Sequence, residues 1–397
     1  MSDPSHKLSF GEFTLDLDQA ELLCAGQSVP VEPQVFDLIA YLAANPDHVV
    51  SRDELIEHVW QGRIVSDASI STRINAARKA LGDDGKTQRL IRTVPRRGFR
   101  FLGQASDDAP QGEPAGSGIR YFKSFDGTHI AYATIGKGLP LVKAPSFLSH
   151  LERDLSSPLW RHWVQGFSRD HTYVRMDQRG NGLSDREVAR IDFDAFVNDL
   201  LYLFDALDID RAPLLGISQG AATAVEFAHR HPDRVSGLIL IGGYVAGWRK
   251  LGNPDLEQRR EAMLNLMKVG WGGENPAFRQ IYTNLFVPGG SAEQQEWFND
   301  MQRDSASPEN AHRILDSFGD IDVRDHLGAV QVPTLVCHCR NDAIVPFEAG
   351  RQFALHMPNA RLMPLDGENH VLLEDDPGWP VFLREAQAFL AGLKPGP

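Results

Sequence analysis

A five-residue stretch, Gly216-Ile217-Ser218-Gln219-Gly220, leaves the backbone little choice of path. It follows the apolar run APLL and precedes AATAVEFAHRH, an alanine-rich segment typical of a helix packed closely on a sheet. Passing from strand to helix in so few residues forces Ser218 into a strained conformation and leaves no room for side chains at Gly216 and Gly220. The pattern predicts a serine hydroxyl above the carboxyl edge of a parallel sheet, where open α/β folds bind ligands.

The sequence after residue 118 alternates short apolar segments with helical stretches, which is typical of a mostly parallel sheet covered by helices on both faces. This pattern predicts an α/β fold over residues 119–393. The segments expected to form strands are RYFKSF, HIAYATI, LPLVKAP, YVRMD, APLLGIS, SGLILIGG, PTLVCHC and ARLMPLD. Residues 244–327 show helical patterning without strands, so we expect them to form a helical cap over one edge of the sheet.

The predicted cap is rich in aromatic side chains, and two interpretations of them stay open. They line an apolar pocket below the cap, or they form the cap's own core. The residues concerned are Tyr244, Trp248, Trp271, Phe278, Phe286, Trp297 and Phe298.

Two residues downstream of Ser218 supply what its hydroxyl needs to act as a nucleophile. A histidine must take its proton, and a carboxylate must hold that histidine in the right tautomer. Asp342 and His370 each follow a predicted strand, in the chain order serine, acid, histidine. Asp366 is the rival acid, but it lies only four residues before His370 and its strand register is less apt. We therefore favour Asp342.

Together with the loop MDQRGNGLSD at residues 176–185, these motifs make residues 119–393 resemble an α/β-hydrolase of the Ser–Asp–His class. The resemblance implies catalytic roles for Ser218, Asp342 and His370. Because the nucleophile is a serine, it disfavours the branches that use an aspartate, namely the haloalkane dehalogenases and epoxide hydrolases. We expect neither a metal nor another cofactor for this chemistry.

The segment expected to form the oxyanion hole departs from the usual pattern of that family. Relatives commonly have His-Gly after the third strand, whereas this chain reads KAPSFLSH. Pro145 has no N–H to donate. We therefore expect the oxyanion donors to be the backbone N–H of Gln219 and that of Ser146 or Phe147.

Residues 104–118, QASDDAPQGEPAGSG, are small, polar and rich in glycine and proline, which predicts a flexible linker. The linker separates a domain at residues 7–103 from the α/β domain. The formal net charge is −13, yet residues 73–100 carry nine basic residues against two acids. Such a local positive field suits a DNA-facing patch, whereas the overall acidity excludes a protein that coats nucleic acid along its whole surface.

Helix and hairpin signals mark the first domain. Ser51 and Glu54 form a predicted capping box at the start of the helix DELIEHVW. Residues 66–81 predict a third helix that ends at Gly82, and IRTVPRRGFRFL then predicts a basic hairpin. The face of the third helix that we expect to be buried is formed by Ile70, Ile74, Ala77 and Leu81.

In the order VEPQVFDLIAYLAANPDHVVSRDELIEHVW, VSDASISTRINAARKALGDD and IRTVPRRGFRFL, these motifs resemble the winged-helix DNA-binding domain of the OmpR/PhoB type over residues 7–103. The resemblance implies a recognition helix at 66–81 and a wing at 93–101 that reaches a minor groove. The residues carried over as facing DNA are Thr72, Arg73, Asn75 and Ala76. Those expected to meet flanking phosphates are Arg78, Lys79, Arg96 and Arg97. The alternative is a solvated basic face on a small helical domain.

Response regulators of that type carry a phosphorylated receiver domain, and membrane-anchored relatives carry a transmembrane helix; this sequence predicts neither. We therefore expect the signal to enter through the C-terminal domain.

Three cysteines form no disulfide framework, and no secretory signal or apolar run of roughly 18 residues occurs, which predicts a reduced, cytoplasmic protein without a membrane partner. The spacing of Cys337 and Cys339 does not fit a zinc site, so we expect buried core cysteines.

The two sets of motifs lead to two hypotheses of function. In the first, the chain is a one-component transcription regulator that binds promoter DNA and senses a small ester- or lactone-like ligand, with or without hydrolysing it. In the second, it is an active serine hydrolase whose DNA-binding head serves localisation or autoregulation. The partners expected are double-stranded DNA, the small molecule, RNA polymerase and a second copy of the chain.

Overall fold

In the computed structural model the chain forms two compact units, residues 1–112 and 113–397. The residues that the structure describes are 7–10, 13–17, 19–24, 27–45, 48–60, 62–63, 65, 67–83, 88, 90–94, 97–102, 118–273 and 275–393. Residues 103–117, which include most of the predicted linker, lie outside this set. So do Ser66, at the predicted start of the third helix, and Arg96, in the predicted hairpin.

Within its described residues, the first unit combines two antiparallel sheets with three helices. Its elements are β1 (Lys7–Phe10), β2 (Phe13–Asp16), β3 (Glu21–Cys24), β4 (Gln27–Val29), α1 (Pro33–Ala43), β5 (Val49–Val50), α2 (Arg52–His58), α3 (Asp67–Ala80), β6 (Ile91–Val94) and β7 (Gly98–Phe101). Strands β1 to β4 follow one another in the first sheet, and β5, β7 and β6 form the second. This is the winged-helix arrangement predicted from the motif order.

The ends and the inner face of the helices follow the local sequence. Ser51 Oγ accepts the N–H of Glu54, and the Glu54 carboxylate accepts the N–H of Ser51, so the predicted capping box is confirmed. Gly82, just after α3, has a φ of 59°. This left-handed conformation ends the helix, and glycine adopts it without the steric strain that a Cβ would cause. The predicted inner face of α3 is buried: Ile70, Ile74, Ala77 and Leu81.

The second unit contains an eight-stranded sheet in the order β15-β14-β13-β12-β10-β11-β9-β8. Its strands are β8 (Arg120–Lys123), β9 (His129–Ile135), β10 (Pro140–Lys143), β11 (Thr172–Met176), β12 (Ala212–Ile217), β13 (Val235–Ile241), β14 (Thr334–Cys339) and β15 (Ala360–Leu365). The pairs β8–β9 and β9–β11 are antiparallel, and the remaining pairs are parallel. All eight predicted strands are present in this sheet.

Helices connect these strands and fill the long interval between β13 and β14. Those outside this interval are α4 (Leu151–Asp154), α5 (Arg161–Ser168), α6 (Phe193–Ala206), α7 (Gln219–Arg230), α12 (Phe347–His356) and α13 (Gly378–Gly392). Those inside it, which we call the cap helices, are α8 (Pro254–Gly270), α9 (Ala277–Phe286), α10 (Ala292–Ser305) and α11 (Pro308–Ser317). Within the described ranges, none of the helices is both long enough and apolar enough to cross a membrane.

The loop at residues 176–185 is held by buried polar contacts. Arg179 has a fully buried side chain and pairs with Asp199 at 2.6 Å and with Asp126 at 2.7 Å. Asp177 accepts the N–H of Leu183 at 2.9 Å, and Ser184 Oγ donates to the Asp177 carbonyl at 2.7 Å. These contacts fix the conformation of the loop that directly follows β11.

We expect Gly216→Ala to lower the free energy of unfolding by about 1–3 kcal/mol, the usual cost of overpacking a well-packed site. A Cβ at this position would lie 2.6 Å from Ala221 Cα and 2.7 Å from the Gly220 carbonyl oxygen, so backbone atoms would have to move. Urea denaturation followed by tryptophan fluorescence measures the change, because every tryptophan except Trp60 lies in the second unit.

Gly392→Ala is the matched control, because a Cβ at Gly392 would have no heavy atom within 4 Å. We expect its urea midpoint to stay at or slightly above that of the parent chain, since alanine is a better helix former than glycine. Equal midpoints for both variants would contradict the proposed role of Gly216.

Candidate functional site

Ser218 occupies the sharp turn between β12 and α7. Its φ of 54° and ψ of −124° lie in a region that non-glycine residues rarely adopt. The turn is held on both sides, because the Ser218 N–H donates to the Ile241 carbonyl at 2.9 Å and the Ser218 carbonyl accepts the N–H of Ala221 at 3.0 Å. The prediction of a strained serine turn is therefore confirmed, and the surrounding backbone maintains the strain.

Asp342 and His370 form a buried pair at the carboxyl ends of two neighbouring strands. Asp342 follows β14, His370 follows β15, and His370 Nδ1 lies 2.7 Å from Asp342 Oδ2. Both side chains are about 1% exposed. The other carboxylate oxygen of Asp342 accepts the N–H groups of Ile344 and Val345, each at 2.9 Å.

The charge on Asp342 is stabilised by these partners. Burial alone raises the pKa of a carboxyl group, but the electrostatic attraction of the His370 ring, its hydrogen bond and the Val345 N–H outweigh burial, so the pKa of Asp342 is lowered. An ionised Asp342 fixes the proton of His370 on Nδ1 and leaves a lone pair on Nε2. Nε2 is buried and has no hydrogen-bond partner among the residues that the structure describes.

The rival acid lies elsewhere. The Asp366 side chain is 86% exposed, and its carboxylate lies 3.6 Å from Arg340 Nε. Phe286 also holds His370 in place. The backbone N–H of His370 donates to the Phe286 carbonyl at 2.8 Å, and the imidazole ring meets the Phe286 ring edge-on. The structure thus brings His370 together with Asp342 and not with Asp366.

Two glycines that follow β13, Gly242 and Gly243, lie in space next to His370 and Ser218. A Cβ on Gly242 would lie 3.1 Å from His370 Cε1, and a Cβ on Gly243 would lie 3.3 Å from the Ser218 carbonyl oxygen. This segment therefore packs closely against both residues. No hydrogen bond joins Ser218 Oγ to His370 Nε2 within the described residues.

Gln219 is the first residue of α7 and carries the first of the expected oxyanion donors. The N–H groups in the first turn of a helix have no intrahelical acceptor. The Gln219 side chain is turned away from this role, because its Nε2 donates to Thr223 Oγ1 at 2.8 Å. The backbone N–H of Gln219 therefore remains the predicted oxyanion donor of this residue.

The loop after β10 carries the second expected donor and lies close to α7. A Cβ on Gly220 would lie 3.1 Å from the Pro145 carbonyl oxygen and 3.4 Å from Ser146 Cβ. Ser146 Oγ accepts a hydrogen bond from the buried Lys143 ammonium at 3.1 Å. Phe147 lines the same cavity as Ser218. These contacts put the loop beside the serine turn, and the donor roles of Ser146 and Phe147 stay predictions.

His338 is a neighbour of the candidate acid that the sequence reasoning missed. Its Nε2 donates to the Val345 carbonyl at 2.9 Å and lies 3.5 Å from Asp342 Oδ2. Burial lowers its pKa, which favours the neutral ring. One sequence signal for His338 was available. It lies in the strand that leads to Asp342, and strand alternation turns it to the face opposite that of Cys337 and Cys339.

The two neighbouring cysteines are buried, as predicted. Burial raises the pKa of both thiols, to about 12 for Cys339, so neither is a reactive thiolate. Among the residues described, no group of three or more side chains has the arrangement of a metal site.

A cavity of about 760 Å³ opens between the serine turn and the cap, and Ser218 and Phe147 are part of its wall. This volume is within the usual range for small-molecule sites. The cap aromatics divide between the two interpretations: Tyr244, Trp248 and Phe286 line the cavity, whereas Trp271 and Phe298 are buried in the core. Of the remaining two, Phe278 is 41% exposed and Trp297 is partly buried and packs against the core.

The outward face of α3 carries most of the residues expected to face DNA. Thr72, Asn75 and Lys79 are exposed, and Arg73 and Ala76 are half-buried. The Arg73 guanidinium pairs with the carboxylate of Glu32, which precedes α1. Arg97 is exposed at the turn between β6 and β7.

Arg78 does not belong to this face, and its predicted contact with a phosphate is wrong. It is only 6% exposed, and its Nε and Nη2 donate to the Ile91 carbonyl at 3.0 and 2.8 Å. A further bond from Nη2 reaches Thr93 Oγ1 at 2.9 Å. Arg78 lies four residues after Ile74, on the inner side of α3, so its side chain ties the helix to the first strand of the wing.

Comparison with known proteins agrees with both parts of this description. Residues 145–377 match the family described as alpha/beta hydrolase fold, and residues 26–101 match the family described as transcriptional regulatory protein, C terminal. The AB hydrolase superfamily protein YisY of Bacillus subtilis (strain 168) is 26% identical over 252 residues, which cover 63% of this chain and 91% of that protein.

The N-terminal unit and the fold have their own relatives. The transcriptional activator CadC of Escherichia coli (strain K12) is 36% identical over 78 residues, which cover 19% of this chain and 15% of that protein. The crystal structure of a hydrolase from Pseudomonas aeruginosa PA01 covers 69% of this chain and 98% of its own, with a TM-score of 0.58 and 22% identity, and shows the fold. The chain belongs to the alpha/beta hydrolase fold family and carries an OmpR/PhoB-type transcriptional regulatory domain at its N-terminus.

Proposed function

We propose that this chain is a one-component transcription regulator that binds promoter DNA and whose hydrolase domain senses and hydrolyses a small ester- or lactone-like molecule. The observation that carries the hydrolytic part is the buried His370–Asp342 pair, with Nε2 of His370 unpaired among the described residues. The cavity that Ser218 lines supports a small-molecule ligand. The regulatory-domain match at residues 26–101 supports the DNA-binding part.

In the proposed reaction, Ser218 Oγ attacks the ester carbonyl carbon while its proton passes to His370 Nε2. Asp342 stabilises the resulting imidazolium. The tetrahedral oxyanion accepts hydrogen bonds from the N–H of Gln219 and from that of Phe147 or Ser146. His370 then gives its proton to the leaving alkoxide, and the alcohol departs. Water repeats the sequence on the acyl-serine and releases the acid.

In the proposed DNA complex, α3 lies in the major groove and presents Thr72, Asn75 and Ala76 to the base edges. Arg73 joins them by exchanging its Glu32 partner for a group on the DNA. Lys79 and Arg97, together with Arg96 outside the described residues, meet phosphates. RNA polymerase and a second copy of the chain are proposed as partners on the resemblance to OmpR/PhoB-type regulators alone.

The second candidate function is an active serine hydrolase whose DNA-binding head serves localisation or autoregulation. The same His370–Asp342 pair favours it, because sensing a ligand does not by itself require a base beside a serine. The two candidates differ in whether occupation of the cavity changes the affinity for DNA.

We expect Ser218→Ala to abolish labelling by a fluorophosphonate probe, because the probe reacts with the serine hydroxyl. We expect Asp342→Asn to lower the rate of hydrolysis of p-nitrophenyl esters by about 10⁴-fold, because the asparagine holds His370 in the wrong tautomer. Asp366→Asn is the matched control and should stay within about twofold of the parent chain, since Asp366 is exposed and remote from His370. Equal losses in the two aspartate variants would contradict the assignment of Asp342.

The regulatory part is tested by DNA footprinting with the parent chain and with Ser218→Ala, on DNA selected by the protein from a random pool. In a panel of esters and lactones, we expect at least one compound to change the DNA affinity of Ser218→Ala by about tenfold, a typical coupling between two sites. With the parent chain, the change should decay as the compound is hydrolysed. If esters are hydrolysed but none alters DNA affinity, the second candidate function is correct.

We expect Arg97→Ala to weaken binding to all DNA sequences and to reduce the slope of log K against log salt concentration by about 1, as for the loss of one phosphate contact. Arg78→Met should leave that slope unchanged and instead lower the thermal midpoint of the N-terminal domain, because Arg78 is buried between α3 and β6. A reduced salt slope in Arg78→Met would show that Arg78 meets DNA after all.

A further inference from the structure

The cavity beside Ser218 has a mostly apolar wall that contains two neighbouring arginines, the exposed Arg259 and the half-buried Arg260. Tyr244, Tyr282, Met263, Leu264 and Phe286 form much of the wall. Arg260, on cap helix α8, lines the same cavity and is half-buried. A guanidinium in such surroundings loses hydration, and that loss is normally offset by a carboxylate partner.

Arg260 has no such partner within the described residues. Its Nη2 donates to the Ile344 carbonyl at 2.7 Å, which uses one of the five N–H groups of the guanidinium. Other arginines of the same region have acid partners or more carbonyls: Arg249 pairs with Asp316 and Asp320, and the buried Arg279 donates to the carbonyls of Asn299, Trp271 and Gly273. The charge of Arg260 is therefore left without an acid partner among the residues that the structure describes.

The other polar groups in the wall do not cancel this charge. Glu348 already pairs with Arg351 at 2.7 Å and accepts a bond from Gln352. Burial raises the pKa of the phenols of Tyr244 and Tyr282, so both rings stay neutral next to Arg260. Arg259 also lines the cavity, but it is exposed and its Nε donates to the Asp255 carbonyl at 3.1 Å. Arg260 is therefore the cation that an entering anion meets in half-buried, apolar surroundings, where a charged hydrogen bond is strong.

The anchor of Arg260 also relates it to the candidate catalytic acid. The carbonyl of Ile344 accepts the bond from Arg260, and the N–H of Ile344 donates to Asp342 Oδ1 at 2.9 Å. A ligand group bound by Arg260 is thereby held against the same short loop that holds Asp342. Ser218 and Arg260 line the same cavity, and its mostly apolar wall suits the apolar body of such a ligand.

We propose that Arg260 is an anion subsite and that the ester or lactone taken by this site has an apolar chain ending in a carboxylate. The carbonyl that reacts lies at Ser218, and the carboxylate pairs with the Arg260 guanidinium. This inference rests on the proposed hydrolase function and adds the class of substrate to it. Arg260 acts as a residue of specificity and takes no part in proton transfer.

The test compares two esters of equal acyl length, mono-p-nitrophenyl suberate, which ends in a carboxylate, and p-nitrophenyl octanoate, which does not. We expect the parent chain to favour the suberate in kcat/KM by about tenfold or more. Arg260→Gln should abolish this preference, mainly through a higher KM for the suberate, and Arg260→Lys should retain part of it because it keeps the charge.

Lys268→Gln is the matched control, because it removes one positive charge from an exposed position on the same helix and Lys268 does not line the cavity. Its preference should equal that of the parent chain. An equal fall for both esters in Arg260→Gln would mean that Arg260 only holds the cap in place. A parent chain that prefers the octanoate, or a preference that survives in Arg260→Gln, would overturn the proposal.

A binding measurement keeps this inference separate from catalysis. Monomethyl suberate and methyl octanoate are titrated into Ser218→Ala and into Ser218→Ala/Arg260→Gln, with fluorescence of the cavity-lining Trp248 as the signal. We expect the suberate to bind about tenfold more tightly to the first protein and the difference to vanish in the second. If the parent chain hydrolyses neither ester but this difference is seen, the proposed hydrolysis fails and the anion subsite stands. Equal binding of both compounds to Ser218→Ala overturns the subsite.

Discussion

The hydrogen bond from His370 Nδ1 to Asp342 Oδ2 holds the imidazole ring and, by fixing the proton on Nδ1, leaves Nε2 as a buried base. Four further contacts surround this pair. The N–H groups of Ile344 and Val345 hold the carboxylate from the other side. His338 packs against it, and Arg260 grips the carbonyl of Ile344 from the cap. The proposed catalytic acid, the cap and the proposed anion subsite therefore share one short loop after β14.

A second constraint acts at Ser218, where the backbone changes from strand to helix. The positive φ of Ser218 persists because β13 and the first turn of α7 hold the residue on both sides. Gly216 and Gly220 permit this close packing, and the approach of Gly220 to Pro145 brings the loop after β10 to the same place. A single tight turn thus locates the serine, the start of α7 and the loop expected to donate to the oxyanion.

In the N-terminal domain, cations that look alike in the sequence have different surroundings. Lys79 and Arg97 are exposed, Arg73 pairs with Glu32, and Arg78 is buried against the first strand of the wing. A buried guanidinium satisfied by a carbonyl and a hydroxyl stabilises the junction of helix and wing. Because Arg78 is buried, a count of the basic residues along α3 overestimates the number of cations available to DNA.

Local patterns were sufficient for the strand order along the chain, the capping box at Ser51, the end of α3 at Gly82 and the strained turn at Ser218, because short-range sterics and hydrogen bonds decide these features. They were also sufficient to bring Asp342 and His370 into consideration, since both follow strands of a parallel sheet. The sequence favoured Asp342 over Asp366, and packing showed that Asp342 meets His370. Tertiary packing alone decided that Arg78 turns inward, that the cap aromatics divide between wall and core, and that Arg260 lines the cavity without an acid partner among the described residues. Each of these depends on which residues from distant parts of the chain become neighbours, and periodicity along one segment carries no information about that.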